Sequence, residues 1–478
     1  MTPGGSWTRT ESDALGSRRL PGEALYGINT LRALENFPVS GVRIGALKPL
    51  IRAMAQIKKA AALANQRLGK LSPRKAEMIG RVCDELLAGQ HADHLLVDVF
   101  QGGGGTSSHM NLNEVIANRG LELMGHACGQ YQHLHPIGDV NLSQSTTDVH
   151  STALRLALMQ GAPGLQAALL ALADAFAGRA LDCGGILKLA RTHLQDAVPM
   201  TLAEEFGAFA TALRQDAARI GPVSQDLAEL NLGGTMVGTG LAAQPDFSVA
   251  VIAELQRLTG LPLRRADDLV CAAWNPAELV QFSALLRGIS VTMAKIANDL
   301  RLLSSGPRGG LCEIALPAVQ AGSPLIAGKA NPVIPEMVNQ VAFHVAGSDV
   351  SVGMAAEAGQ LQRNAFEPLI AHCLLTSLGM VQDAARLFAD RCVAGIRAVP
   401  ETCAAHLAHT DTLIAGLVPL IGADAAQDIL AAVARGDDLA TLLRQSGLTA
   451  AQPGSESPNQ SEGKAKMSLS AVSLPPLE

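Results

Sequence analysis

The stretch NPAELVQFSALLRGISVTMAKIANDLRLL, residues 275–303, decides the fold. Leu279, Phe282, Leu286, Ile289, Met293, Ile296, Leu300 and Leu303 recur in alternating steps of three and four, the period of a helix that buries one stripe along its length. Asn275, Pro276 and Glu278 read as an N-cap, a first-position proline and an N3 carboxylate, and Ser304-Ser305-Gly306-Pro307 ends the run. A second run, Phe206, Phe209, Leu213, Ile220, Val223, Leu227 and Leu230, stops at Gly233-Gly234 and carries Asp216 at one seam position. A third passes from Val338 through Val341, Val345, Ser348 and Val352 to Ala355, and Thr152–Ala177 has the same period with a kink expected at Gly161 and Pro163. Helices this long bury little when they stand alone. A repeat near 3.5 residues bundles them at crossing angles of about +20°, and their wide, small-residue seams also suit assembly of several chains.

Composition agrees with a mainly α chain. Of 478 residues, 48% are hydrophobic and 17% charged, yet there are only ten Phe, two Trp and two Tyr. A core this apolar and this poor in aromatics is filled by Ala, Leu, Val and Ile, which favours close-packed helices over a β-sandwich. A net charge of −6 leaves no electrostatic footprint for nucleic acid or an anionic membrane. Met1–Thr10 holds no apolar signal core, no stretch of about 18 uninterrupted apolar residues occurs, and the eight cysteines are scattered without CxxC pairs. A cytoplasmic protein with reduced thiols is expected. Punctuation by Gly and Pro divides the chain into an N-terminal mostly helical domain over 1–147, a central helical bundle over 148–399 and a small helical domain over 400–450. Residues 451–478, rich in Pro, Ser and Gln, read as a disordered tail.

Polar residues gather in four loops beside these helices. Gly102-Gly103-Gly104-Gly105-Thr106-Ser107-Ser108-His109 lets backbone N–H groups approach an anion, but no Lys-Ser/Thr follows to make it a nucleotide phosphate loop. Ser143-Gln144-Ser145-Thr146-Thr147-Asp148 opens a helix with more hydroxyls than one cap needs, and a helix N-terminus seats a carboxylate well. Arg191-Thr192-His193-Leu194-Gln195-Asp196 is a dense string of donors and acceptors. Gly322-Ser323-Pro324-Leu325-Ile326-Ala327-Gly328-Lys329-Ala330-Asn331-Pro332, followed by Glu336, is a long loop of the kind that serves as a lid. Each alone is equally well a connector or a cap. No HExxH, paired CxxC, DxDxDG, GxSxG or strand-borne GxGxxG is present, so a reaction without metal or cofactor is the economical expectation.

Taken in order, the four loops resemble those of the aspartase/fumarase superfamily. Glu11-Ser12-Asp13-Ala14-Leu15-Gly16, with Pro21, Tyr26-Gly27, Thr30-Leu31-Arg32-Ala33 and Glu35-Asn36-Phe37, looks like its N-terminal signature. GTSSHMNLNEVIAN (105–118), RTHLQDAVPMTL (191–202), LGGTMVGTGL (232–241), NDLRLLSSGPRGGLCEI (298–314) and GSPLIAGKANPVIPE (322–336) extend the likeness over roughly residues 11–445, and Thr192-His193-Leu194-Gln195-Asp196 looks like the aspartase branch. The resemblance implies an elongated three-domain subunit with a central five-helix bundle, a homotetramer with a twenty-helix core, and active sites shared among three subunits. It further implies anti-elimination from a small dicarboxylate with release of fumarate. Ser323 matches the family's base. Thr106, Ser145 and Thr146 match the holders of the carboxylate that becomes the aci-acid, and Thr192, Lys329 and Asn331 the clamp on the other carboxylate. His193, paired with Glu336, matches the histidine beside the leaving group.

The departures concentrate at the site. The family's Gln-Ser-Thr-Asn-Asp is here Gln144-Ser145-Thr146-Thr147-Asp148, and the missing Asn contacts the leaving group. In the lid, Pro324, Ile326 and Ala327 replace Ser, Met and Pro; each lost oxyanion donor costs about 10²–10³ in rate where nothing replaces it. His109 stands where the family has Asn. His135-Pro136-Ile137-Gly138 lacks the Asn-Asp that follows His-Pro in many relatives, which puts a secondary carboxylate site there in doubt. Elimination of ammonia from L-aspartate is the leading reading. The same mechanism on an N-substituted or otherwise modified aspartate, with Thr147 and His109 reshaping the leaving-group pocket, comes next, then a class II fumarase or a catalytically weak structural tetramer. Retention of Ser323, Lys329, Asn331, His193 and Glu336 weighs against the last.

Overall fold

A computed structural model describes residues 7–408, 418–435, 437, 441–442 and 445. The tail expected over 451–478, and part of the segment expected over 400–450, lie outside the described residues. The fold is mainly α. The chain opens on a hairpin, β1 (Thr8–Asp13) and β2 (Gly16–Pro21), paired antiparallel around a two-residue turn. Four helices follow, α1 (Ile28–Asn36), α2 (Lys48–Arg67), α3 (Pro73–Leu87) and α4 (Thr106–Leu123). Glu114 on α4 is buried, and its carboxylate accepts N–H bonds from Gly27, Asn29 and Thr30, so that a side chain of one helix satisfies the orphan donors that open another.

The bundle is made of α5 (Thr146–Asp182), α6 (Leu202–Asp226), α9 (Ala277–Leu303), α10 (Val333–Glu357) and α11 (Glu367–Arg391). Between α6 and α9 lie β5 (Glu229–Leu230), α7 (Phe247–Thr259), β6 (Arg264–Arg265) and α8 (Leu269–Trp274), with β5 and β6 parallel. Helix α10 packs on α9 and on α11, and α11 packs on α5. Phe176 of α5 places its ring 5.5 Å from Phe209 and 6.1 Å from both Phe206 of α6 and Phe388 of α11, while Lys295 of α9 sits 5.3 Å over the Phe209 ring.

Helix α5 is the centre: every residue from Thr147 to Met159 is buried, so this N-terminal stretch has no solvent face to carry an amphipathic period. It also continues as one helix through Pro163, the place of the expected kink. Packing against α11, so close that a Cβ on Gly161 would come 2.6 Å from Leu378 Cδ2, overrides the local cost of proline, about 3 kcal/mol. Helices α5 and α9 are long and apolar enough to cross a membrane by length and composition alone. The start of α9 lies one residue later than read: Asn275 Oδ1 accepts from the Ala277 N–H from outside the helix, and Glu278 pairs with Arg155 instead of reaching back.

The chain divides into two compact units, whose described residues are 7–183 with 203–398 in the first, and 184–202 with 399–408, 418–435, 437, 441–442 and 445 in the second. The first also contains β7 (Ile314–Ala315) paired with β8 (Arg397–Ala398). The second contains the antiparallel hairpin β3 (Leu187–Thr192) and β4 (Gln195–Thr201), where the sequence string had shown no strand period, together with α12 (Pro400–Ala408), α13 (Val418–Ile421) and α14 (Ala423–Ala434). Helix α12 packs on β3, and Arg191 Nη2 lies 3.2 Å from His406 Nδ1.

A buried polar knot fixes the N-terminal end of α5. Ser145 and Asp148 form a reciprocal capping box, and the Asp148 carboxylate also accepts N–H bonds from Gly233 and Thr235, each at 3.1 Å. Lys58, fully buried in α2, donates to Asn141 Oδ1 at 2.9 Å and Gln144 Oε1 at 2.8 Å in the turn just before the cap. Burial pushes Asp148 up to about 6 against those donors, and burial pulls Lys58 down to about 7 against the attraction of Asp148.

Two outcomes follow for stability. Phe176→Ala removes the ring shared by three helices and should cost about 3–5 kcal/mol in chemical denaturation. Lys58→Met removes the donor from two half-buried acceptors, Asn141 Oδ1 and Gln144 Oε1, at a cost of roughly 1–3 kcal/mol in all. Because the folded chain releases the Lys58 proton near 7 while the unfolded chain holds it to 10.5, the stability of the unaltered protein relative to this variant should grow as pH rises from about 7 toward 10. Denaturation of both proteins at several pH values in that range checks the sign.

Candidate active site

Two helix N-termini meet at the first cluster. Gly103, Gly104 and Gly105 take φ values of +86°, +61° and +91°, which turns the chain sharply into α4. Side chains are excluded here by contact as well as by conformation: a Cβ on Gly104 would come 2.6 Å from Arg363 Nη2, and one on Gly105 would come 2.4 Å from the His150 ring. Thr106, the first helical residue, is exposed, and its hydroxyl donates to the Gly103 carbonyl at 2.8 Å. One turn later His109 is buried, with Nδ1 3.0 Å from Oγ1 of Thr146, the first residue of α5. Ser145 caps α5, Thr146 is half-buried, and Thr147 is buried with its carbonyl accepting from Asn231 Nδ2 at 3.4 Å. Thr106, His109, Ser145, Thr146 and Thr147 are thus brought together. The positive ends of two helices and their hydroxyls make a place suited to a carboxylate.

The second cluster lies on the loop between β7 and α10. Ser323 Oγ accepts N–H bonds from Leu325 and Ile326, both at 3.2 Å. This is the geometry of an N-cap serine followed by proline: the Pro324 ring has no N–H and presets its φ, and the next two N–H groups turn back onto the hydroxyl. Asn331 Nδ2 donates to the Gly322 carbonyl at 2.8 Å, and Gly322 N–H donates to the Lys329 carbonyl at 3.0 Å, closing the base of the loop. Inside lies an open hollow of about 510 Å³ lined by Gln320, Ser323, Ile326 and Lys329 among others. Glu336 sits in the first turn of α10. No hydrogen bond among the described residues joins this cluster to the first.

Thr192 and His193 belong to the second compact unit, at the exposed tip of the β3–β4 hairpin. His193 and Leu194 both have positive φ, 56° and 61°, a two-residue turn that ordinarily takes Asn-Gly. Holding two side-chain-bearing residues there costs local strain of the kind that collects at functional sites, and it presents His193 away from the strands.

Five residues of the first cluster were not singled out from sequence. Lys58, His150, Arg363 and Glu367 escaped notice, and Asp148 was read only as a cap. Lys58 had a signal, since it falls in the apolar series Ile51, Met54, Lys58, Ala61 of α2 where a charge has no surface to reach. Arg363 and Glu367 had none; 254 or more residues separate them from the loop they support, and only packing of α11 beside α5 brings them in. Among the described residues no three His, Cys, Asp or Glu side chains converge to hold a metal ion.

Residues 16–347 match the lyase family. An aspartate ammonia-lyase of Pseudomonas fluorescens is 47% identical over 442 residues, covering 92% of each chain. A solved fumarate lyase:delta crystallin of Brucella melitensis, bound to cobalt, is 48% identical with a TM-score of 0.89, covering 93% of this chain and 96% of that one. A class II fumarase of Schistosoma mansoni is 30% identical with a TM-score of 0.87 and the same coverage. The chain belongs to the aspartase/fumarase superfamily of lyases, in its aspartate ammonia-lyase-like, carbon–nitrogen branch.

Proposed function

We propose that the protein eliminates ammonia from L-aspartate to give fumarate, in the cytoplasm and with neither metal nor cofactor. The observation that carries the reading is the pair of backbone N–H groups aimed at Ser323 Oγ. They stabilise negative charge on that oxygen, which a serine needs if its alkoxide is to take the proton next to a carboxylate. The relatives named aspartate ammonia-lyase support the same substrate.

In this reading Ser323 removes the C3 proton, and the electron pair moves into the adjacent carboxylate to form a doubly charged aci-acid. Thr106, Ser145 and Thr146 hold that group at the two helix N-termini. Thr192, Lys329 and Asn331 clamp the other carboxylate. Collapse of the aci-acid forms the C=C bond and breaks C–N, and His193, supported by Glu336, assists the departing amine. Closure of the 322–332 loop expels water, which strengthens every one of these interactions. In the working enzyme residues 1–147, 148–399 and 400–450 serve as its three domains, and three subunits of a homotetramer complete each site. Phe343, Val350 and Met354 support that assembly: they recur along one side of α10 and are 70%, 62% and 66% exposed in the single chain.

Thr147, where the resemblance has an Asn at the leaving group, favours a second reading in which the amine carries a substituent. Purified protein given L-aspartate should raise the ultraviolet absorbance of fumarate, and Ser323→Ala should lower the rate at least ~10³-fold while light scattering still finds four chains. Silence with L-aspartate at high enzyme, together with fumarate from N-substituted aspartates, would transfer the assignment to the second reading. Thr147→Asn should raise aspartate turnover if the leaving-group pocket has drifted.

A further inference from the structure

His109 is surrounded by charged groups that the proposed chemistry leaves unused. Its imidazole is 1% exposed, and its Nε2 is buried with no hydrogen-bond partner. His150, one turn into α5, is equally buried, and its Nδ1 lies 3.3 Å from Glu367 Oε2. Arg363 Nη2 lies 3.5 Å from that same oxygen and also donates to the Gly104 carbonyl, while Arg363 Nη1 is a further buried atom without a partner. Burial, together with Lys58, His150 and Arg363, holds the His109 pKa well below the ordinary histidine value, so the ring is neutral.

A neutral imidazole has one proton and two nitrogens to carry it. With the proton on Nε2, the ring leaves a buried donor without an acceptor. Its Nδ1 then has to take the Thr146 proton, so Thr146 shows only lone pairs to an incoming carboxylate. With the proton on Nδ1, the ring donates to Thr146 Oγ1 and Nε2 is left as a bare buried lone pair. Thr146 then keeps its own proton for an anion. The second arrangement leaves no orphan donor.

We propose that His109 is a positioning residue that donates from Nδ1 to Thr146 Oγ1 and thereby turns the Thr146 hydroxyl proton toward the substrate carboxylate. His150, Glu367 and Arg363 back this contact and pin the glycine loop behind it. The inference rests on the dicarboxylate reading of the site and assigns the side chain that orients one of its donors.

Succinate, a dicarboxylate with no leaving group, is the probe, titrated by calorimetry into the full-length protein and its variants. His109→Leu should weaken succinate by ~10–100-fold, the worth of one hydrogen bond to a charged group. Thr146→Val should weaken it similarly, and the double variant should be no weaker than Thr146→Val alone, because the two residues act as one unit. His109→Asn, whose amide N–H reaches from the place of Nδ1, should recover at least about tenfold of the loss. Additive losses, an Asn variant as weak as the Leu variant, or a Leu variant that binds like the unaltered protein would each overturn the role. If the Leu variant does not fold, Asn against Gln decides: Gln places its N–H near Nε2, and tighter binding by Gln sinks the proposal. Absence of both succinate binding and fumarate release in the unaltered protein would instead overturn the reading of the whole site.

Discussion

The arrangement hangs on one buried carboxylate. Asp148 lies in the first turn of the most deeply buried helix of the molecule, and it accepts N–H bonds from Ser145, Gly233 and Thr235. A helix buried on all sides cannot satisfy its first N–H groups with water, so the donors at its N-terminus must be met by protein groups. Asp148 meets one of these needs and also ties down the Gly233–Thr235 segment, where Thr235 is held at a φ of 56°. Lys58 answers its charge and anchors Asn141 and Gln144 in the preceding turn. The hydroxyls of Ser145 and Thr146, to which the proposed function gives the substrate carboxylate, stand in front of this bonded network.

The same device recurs at α1, where Glu114 meets the N–H groups of Gly27, Asn29 and Thr30. Both carboxylates are buried, and burial raises the pKa of each against the donors that lower it. Such groups are expensive to bury and useful only when fully bonded, so they specify one arrangement of their helices far more sharply than aliphatic packing does. The aliphatic seams supply the bulk of the stability, and the buried polar groups supply register.

The two clusters in the first unit use opposite strategies. Around α4 and α5, buried His109 and Thr147 stand behind half-buried Ser145 and Thr146, which suits a carboxylate that must be held while it gains charge. Ser323 lies on an open loop whose Leu325 is 92% exposed, which suits a group that arrives after the substrate. The change from Ser to Pro at 324, read from sequence as the loss of a donor, has a second side in three dimensions. Pro324 stands inside the turn in which Ser323 Oγ collects the N–H groups of Leu325 and Ile326.

Much was legible without coordinates, and for a physical reason. The period of the α9 run, the glycine loop and the row of hydroxyls before α5 are local patterns, set by the pitch of a helix and the orphan donors at its start. The residues of the proposed site were legible because whole motifs, 105–118 and 322–336 among them, resemble those of one superfamily. Sequence alone therefore determined the helical class, the place of the long helices and the candidate groups. Tertiary structure decided what local pattern cannot carry: α5 running through Pro163, the His193 turn on a hairpin, and Lys58, Arg363 and Glu367 converging behind His109 and the glycine loop. Those outcomes depend on contacts between residues far apart in the chain, where packing outweighs local preference and a buried charge finds its partners only after the helices have met.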